Sequence, residues 1–245
     1  MKTWRIHLEY DGSAYCGWQL QPNGPTVQEF VEAALNKVLG STGVRIHASG
    51  RTDAGVHALG QVCHFHTEAE RKPAQIRDGL NSLMPPDVSC WHAERVADDF
   101  HARYSAIGKL YRYRVRTSPS RSALERGRAW HQRSPLDAQA MTEALSGVTG
   151  THDFSSFRGQ GCCASGPVRT LQRVTVEQGP DEMVLEFYGK GFLRRMVRNL
   201  VGTAVVVGLG RQPPEWMVEV LNERDRNHAG PGAPGYGLYL VRVDY

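Results

Sequence analysis

Apolar and polar residues alternate strictly over residues 3–10, at the start of the chain. A period of two is typical of a strand with one buried face. The next apolar pattern, over residues 27–38, has helical spacing instead. Thr26 and Glu29 predict a capping box at the start of this helix, and Gly40 predicts its end.

The same patterns divide the rest of the first half into short elements. They predict strands over residues 44–48, 61–66 and 88–96, and a helix over residues 73–83 that stops before a pair of prolines. The resulting order is strand, helix, strand, strand, helix, strand. This order is the ferredoxin-like arrangement.

The second half again mixes strands and helices, without a repeat in sequence. Its predicted strands cover residues 110–116, 168–176, 183–188 and 237–243. Its predicted helices cover residues 137–145, 192–207 and 214–221. We therefore expect an α+β protein with two ferredoxin-like halves, residues 1–105 and 106–245. Their antiparallel sheets are expected to join near residues 101–117 into a central sheet.

The charge is distributed unevenly. The chain has a net charge of +4 and a pI of about 8.9. Residues 101–135 carry nine Lys or Arg against one Glu, and a second basic cluster in residues 187–214 contains no acid. Two basic stretches of this kind favour a nucleic-acid partner over two solvated faces.

One predicted strand concentrates this charge. Arg112, Arg114 and Arg116 share one face, while Tyr111 and Tyr113 share the other. Because burying unpaired charges is costly, we expect the arginines to face solvent or phosphate. The tyrosine face is expected to be core, although a Tyr at its end can also stack on a base.

The cysteines and the N-terminus bear on the compartment. Five cysteines occur at irregular spacing without a C-x-x-C pair, which argues against a disulfide framework and a structural zinc site. Neither a signal peptide nor a long apolar segment is present. We expect a cytoplasmic protein that does not associate with membranes.

The loop Gly50–Ala58 lies between two apolar runs and brackets one carboxylate, Asp53, with glycines. Glycine permits positive φ and a close approach of a ligand. In an extended segment, Arg51 projects to the same side as Asp53 and can pair with it or with an incoming phosphate. On these residues alone, a simple turn and a functional site remain equal alternatives.

Two other clusters suggest chemistry less strongly. His57, His64 and His66 suggest a metal site, but no set of cysteines or carboxylates completes a recognisable geometry, so we expect packed or hydrogen-bonded histidines and no metal. Asp153 follows His152 and resembles a second catalytic carboxylate. We expect it to cap the turn before the next aromatic residue.

Taken together, several motifs in order along nearly the whole chain resemble one family, that of tRNA pseudouridine synthase I (TruA). The motifs that carry this resemblance are residues 10–12 and 17–19, 50–57, 60–62 and 64–65, 99–103, 111–113, 152–154 and 157, 196–199, and 237–240. The resemblance implies the pseudouridine synthase fold. It also implies a homodimer that isomerises uridine to pseudouridine in the anticodon stem-loop of tRNA, at positions 38 to 40, without a cofactor.

The resemblance also implies roles for individual residues. Asp53 matches the nucleophile, and Tyr111 matches a residue that stacks on the target base and can take the C5 proton. Arg198 matches the basic partner of the catalytic carboxylate, and Arg51 matches a backbone contact to the flipped nucleotide. The tRNA contacts implied are Arg71, Arg103 and His101.

The residues are compatible with this chemistry, because a carboxylate kept ionised by a neighbouring Arg can act as a covalent nucleophile. Whether Asp53 attacks C1′ or C6, or assists a glycal path, stays open. So do the roles of the Arg194–Arg195 pair and of the loop 159–167 with Cys162 and Cys163. Two rival hypotheses are a noncatalytic RNA-binding protein and a metal-dependent nucleic-acid hydrolase.

Overall fold

The computed structural model describes all residues from 1 to 245 and contains two compact units. The first unit comprises Met1–Ile107 with Leu240–Tyr245, and the second comprises Gly108–Tyr239. Both units mix helices with largely antiparallel strands. The predicted α+β class is therefore confirmed.

The first unit contains four strands and two helices before the last strand of the chain. They are β1 (Lys2–Tyr10), α1 (Val27–Leu39), β2 (His47–Ala48), β3 (His57–Thr67), α2 (Pro73–Leu83) and β4 (Val88–Arg95). Its sheet has the order β4-β1-β3, followed by residues of β10 (Leu238–Asp244), while β2 pairs with β3. This is the element order that the hydrophobic pattern predicts.

Both helices of the first unit bury one face. Val31 and Leu35 of α1 and Ile76 and Leu80 of α2 have no exposed surface, and neither does Ile6 of β1. Burying an aliphatic side chain of this size stabilises a fold by roughly 1.5–3 kcal/mol. The alternation of β1 therefore marks the sheet face that forms this core.

The second unit also combines helices with a sheet, and it contains more elements than the first unit. They are β5 (Gly108–Arg116), β6 (Trp130–His131), α3 (Ala138–Ser146), β7 (Gly150–Asp153), β8 (Val168–Gln178), β9 (Glu182–Gly189), α4 (Met196–Gly208) and α5 (Trp216–Glu223), followed by the start of β10. Strands β5, β9, β8 and β7 are neighbours in that order, and β6 pairs with β5 in parallel. Met141 of α3, Leu200 of α4 and Leu185 of β9 are fully buried between these elements.

Three local predictions are wrong. The helix predicted from residue 192 begins at Met196, because Arg195 adopts a left-handed conformation with φ +60° that interrupts the helical backbone. Thr26 forms no capping box, since its hydroxyl is buried without a hydrogen-bond partner. The strand predicted over residues 44–48 is reduced to His47–Ala48.

No helix of the chain combines the length and the apolar composition needed to cross a membrane.

Candidate active site

The loop that carries Asp53 connects β2 with β3 in the first unit. A turn begins at Asp53, whose carbonyl accepts a hydrogen bond from the Val56 N–H at 3.1 Å, and Gly55 within that turn has φ +74°. Thr52 and Val56 are buried on either side, whereas Asp53 is only partly buried. The loop is thus anchored at its flanks and presents one carboxylate.

Buried polar side chains hold the first part of this loop. The Thr52 and Tyr10 hydroxyls lie 2.9 Å apart, and the Gln61 amide donates to the Gly50 carbonyl at 2.8 Å. The Ser49 hydroxyl in turn donates to the Gln61 side-chain oxygen at 2.8 Å, and both residues are fully buried. A fully satisfied buried network of this kind makes the loop rigid.

Two glycines let a second segment pack directly on the loop backbone. A Cβ atom at Gly12 would lie 2.1 Å from the Val56 carbonyl oxygen, and one at Gly17 would lie 2.7 Å from the Thr52 carbonyl oxygen. The Trp18 N–H donates to that same Thr52 carbonyl at 3.1 Å. The segment therefore fixes the main-chain position of the residue immediately before Asp53.

Sequence reasoning did not assign this supporting role to Gly12, Gly17 or Gln61. All three lie within motifs that carried the family resemblance, so a signal was available. Their function in the structure is to position Asp53, because none of them presents a reactive group toward solvent.

Of the two partners that the sequence left open for Arg51, Asp53 or an incoming phosphate, the pair with Asp53 does not form. Arg51 is exposed, and its guanidinium makes no hydrogen bond or ion pair. The physical reason is the turn that starts at Asp53, because it ends the extended geometry in which residues two apart share a side. Arg51 is left directed toward solvent.

Tyr111 and Arg198 both lie in the second unit. Tyr111 is on β5, is 8% exposed, and meets the ring of Phe192 nearly edge-on at 4.9 Å between centroids. Arg198 is on the first turn of α4, and its Nε donates to the Ala233 carbonyl at 2.7 Å. Both side chains are therefore held by neighbours within their own unit.

The arginine face of β5 is compensated by carboxylates. Arg112 donates two hydrogen bonds, of 2.9 and 2.7 Å, to Glu186 on β9, and Arg114 pairs with Glu182 and Glu125. Arg116 lies 3.6 Å from Asp181. The three arginines lie on the partly exposed face of β5, as predicted, and Tyr111 and Tyr113 lie on the buried face. The acidic neighbours of the arginines were not predicted.

Two of the three predicted tRNA contacts have structural partners. The Arg71 guanidinium donates to the Val38 carbonyl at 3.0 Å and so ties down the end of α1. The His101 Nδ1 accepts hydrogen bonds from the backbone N–H groups of Arg103 and Tyr104. The Arg103 side chain is exposed and lies over the Tyr104 ring, 5.7 Å from its centroid.

The histidines considered as metal ligands are used as hydrogen-bond partners. The Nδ1 atoms of His57 and His64 accept from the N–H groups of Gly12 and Ala102, each at 3.1 Å. Burial and the neighbouring imidazoles lower the pKa of His64 to about 4. No group of three or more His, Cys, Asp or Glu side chains in the chain is arranged to hold a metal ion.

Asp153 caps a turn, as expected. Its carboxylate accepts a hydrogen bond from the Ser155 N–H at 2.9 Å. The Ser155 hydroxyl, together with this backbone bond, lowers the pKa of Asp153. The carboxylate is therefore occupied at the start of a short 3-10 helix, Ser155–Phe157.

Comparison with known proteins gives matches through both units. A sequence profile of the family described as "tRNA pseudouridine synthase" matches residues 6–105 and 144–245. The chain is 43% identical to tRNA pseudouridine synthase A of Geotalea daltonii and 44% identical to that of Geobacter sulfurreducens, over the full length of both chains in each case. It is 46% identical to the same-named protein of Syntrophotalea carbinolica, covering 100% of this chain and 97% of the relative.

Proposed function

The chain belongs to the tRNA pseudouridine synthase family, and we propose that it isomerises uridine to pseudouridine in tRNA with Asp53 as the nucleophile. The observation that carries the proposal is the anchored loop around Asp53. Buried hydrogen bonds and two close glycine contacts hold that loop, while the carboxylate itself remains partly exposed. Such preorganisation is what a reacting group requires.

The reaction is an isomerisation. The N1–C1′ glycosidic bond of uridine breaks, the base turns, and a C5–C1′ bond forms. A proton leaves C5 and a proton is gained at N1, so nothing is oxidised or reduced. An ionised carboxylate is a suitable covalent catalyst for this sequence, whether it attacks C1′ or C6.

Tyr111 and Arg198 complete the proposed site. A uridine within a stem must be flipped out before a side chain reaches it, which costs a few kcal/mol. Stacking of the flipped base on the Tyr111 ring returns about 1–3 kcal/mol. Arg198 is the proposed cationic partner of the catalytic carboxylate, and Arg51, which is exposed, is the proposed contact to the flipped nucleotide.

The partners follow from the same family. We propose that the substrate is the anticodon stem-loop of tRNA at positions 38 to 40, that the enzyme is a cytoplasmic homodimer, and that it requires no cofactor. The exposed cations Arg51 and Arg103 are the proposed contacts to the RNA backbone in the first unit. Light scattering of the purified protein tests the dimer.

The test of the function is pseudouridine mapping on an unmodified tRNA transcript in the presence of a chelator. Asp53→Asn keeps the size of the side chain and removes the ionised oxygen. We expect wild-type protein to form pseudouridine in the anticodon stem-loop, and the variant to form none while binding the transcript within a few fold of wild type.

Three other results would contradict the proposal. Turnover by Asp53→Asn would remove Asp53 as the nucleophile. Binding without any product from wild-type protein would support a noncatalytic RNA-binding protein. Chelator-sensitive cleavage of the transcript would support a metal-dependent hydrolase.

A further inference from the structure

The second unit contains a basic pocket of about 520 Å³ beside the first turn of α4. Three arginines line it, namely Arg195, Arg198 and Arg226, and no lining residue is acidic or aromatic. Much of the remaining wall is glycine, including Gly159 and Gly232. The absence of acidic lining residues distinguishes this concave surface from the arginine face of β5, which carboxylates border.

One wall of the pocket is a loop that packs directly on α4, and glycines allow this close approach. A Cβ atom at Gly202 would lie 1.7 Å from the Pro231 carbonyl oxygen, and one at Gly230 would lie 2.8 Å from the Thr203 Cα. The Gly230 N–H also donates to the Thr203 hydroxyl at 3.0 Å. The pocket is therefore fixed by the backbone and is not a gap between mobile side chains.

Arg226 is oriented by neutral groups only. Its guanidinium donates to the Ala229 carbonyl at 3.2 Å and to the Asn199 side-chain oxygen at 3.3 Å. Asn199 is 3% exposed and is itself held by a hydrogen bond from its amide to the Phe157 carbonyl at 2.9 Å. The positive charge of Arg226 is thus positioned but not neutralised.

Arg195 stands at the mouth of the pocket. Its backbone is in the left-handed region at φ +60°, and its exposed guanidinium makes no hydrogen bond or ion pair. Its side chain passes close to Gly159, where an added Cβ would lie 3.1 Å from the Arg195 Cδ. A left-handed backbone is unfavourable for a residue other than Gly or Asn, so a compensating role for this side chain is expected.

We propose that this pocket binds a phosphodiester group of the RNA backbone. Guanidinium groups match phosphate oxygens in geometry and charge. The absence of an aromatic lining residue argues against a base, which would need a stacking surface. The proposal rests on the proposed function for the identity of the polyanion, and because Arg198 lines the pocket, it places this phosphate next to a residue of the proposed active site.

The test uses Arg195→Gln with Arg173→Gln as the matched control, since Arg173 is an exposed arginine on β8 that lies outside both basic stretches and does not line the pocket. Binding of an unmodified tRNA transcript is measured from 50 to 300 mM KCl, and pseudouridine formation is measured under steady-state conditions. We expect Arg195→Gln to weaken binding by about fivefold to tenfold, to lower the slope of log K against log salt by about 1, and to raise KM with little change in kcat. Arg173→Gln is expected to match wild type in slope and KM.

Arg226→Gln provides a second test, with thermal unfolding as a check because the native side chain holds the loop. A folded Arg226→Gln protein should show the same loss of slope as Arg195→Gln. If both variants keep the wild-type slope and affinity while wild type forms pseudouridine, the pocket is not a phosphate site and the proposed function stands. If both lose affinity and slope while wild type forms no pseudouridine, the pocket binds RNA and the proposed function fails.

Discussion

Replacing Gly17 by Ala is expected to impair catalysis without direct contact with the substrate. Gly17 has φ +100°, and an added Cβ would lie 2.7 Å from the Thr52 carbonyl oxygen and 3.0 Å from the Asp53 carbonyl carbon. Both neighbours are backbone atoms, which cannot rotate away. To reach an ordinary contact of 3.4 Å, the loop must shift by about 0.7 Å.

A displacement of that size sets the expected loss of kcat. A misplacement of about 1 Å in a catalytic group can lower a rate by about 100-fold. We therefore expect kcat to fall by tens of fold to about 100-fold. The RNA-binding side chains are untouched, so Kd for the transcript should stay within about threefold.

Gly40→Ala is the matched control. Gly40 ends α1 with φ +65°, and an added Cβ there has nothing within 4 Å. It therefore carries a positive-φ cost of roughly 1–2 kcal/mol in stability, without the contact to the Asp53 loop. We expect Gly40→Ala to lower the unfolding temperature and to leave kcat unchanged at a temperature where both variants are folded.

The assay is steady-state pseudouridine formation with saturating transcript, combined with filter binding and thermal unfolding. A Gly17→Ala protein with the kcat of Gly40→Ala would refute the reasoning, because it would show that the loop tolerates the displacement or that the position of Asp53 does not matter.

Three further changes have defined outcomes. Tyr111→Phe keeps the stacking ring but removes the hydroxyl, so we expect transcript binding within a few fold of wild type and loss of product; near-normal product by mapping would leave Tyr111 only a stacking role. Arg112→Gln should change stability by less than about 1 kcal/mol and leave the salt dependence of transcript binding unaltered, because Glu186 already neutralises this arginine; a reduced slope would show that the pair opens for RNA. His64 has a pKa of about 4 in the folded chain against 6.5 in the unfolded chain, so the unfolded state takes up a proton first and stability falls as pH drops from about 6.5 to 4. His64→Gln should reduce this loss of stability with falling pH, as measured by thermal unfolding between pH 6.5 and 4. A profile unchanged by the substitution would contradict the low pKa of His64.

The hydrophobic pattern predicted the element order of the first unit because burial there is one-sided. Every second residue of β1 is buried, and α1 buries one stripe, so the periods of two and 3.6 are visible in sequence. Helix α2 was predicted with its observed bounds, Pro73–Leu83, since Pro marks its first turn and two prolines follow its end.

The pattern was wrong where backbone conformation or a distant partner decided the outcome. Apolar residues continue the helical spacing back to Phe192, but the left-handed Arg195 interrupts the helix, and spacing carries no information on φ. The ion pairs of the arginine face of β5 were not predicted because the register of β5 against β9 was unknown. Glu182 and Glu186 share one face of β9, just as the arginines share one face of β5. The alternation in both strands together therefore indicates that the acids and the arginines meet.

The site was predicted in part. Asp53 stood out because glycines bracket a single carboxylate, and its motif resembles that of a known family. The buried hydrogen bonds that hold the Asp53 loop were not predicted from the sequence, because the one between Tyr10 and Thr52 joins residues 42 positions apart. The alternative that pairs Arg51 with Asp53 assumed an extended geometry, which the turn removes.

The support of the Asp53 loop also sets the order in which the site can form. The segment after β1 that packs on this loop is itself tied to Asp87, whose carbonyl accepts from the Asp11 N–H at 2.9 Å and whose carboxylate accepts from the Tyr15 hydroxyl at 2.5 Å. A nascent chain therefore contains Asp53 well before it contains Asp87, the residue that completes the support. Closing a chain segment of this length costs loop-closure entropy, so the support of the Asp53 loop is complete only when the sheet of the first unit has closed as far as β4.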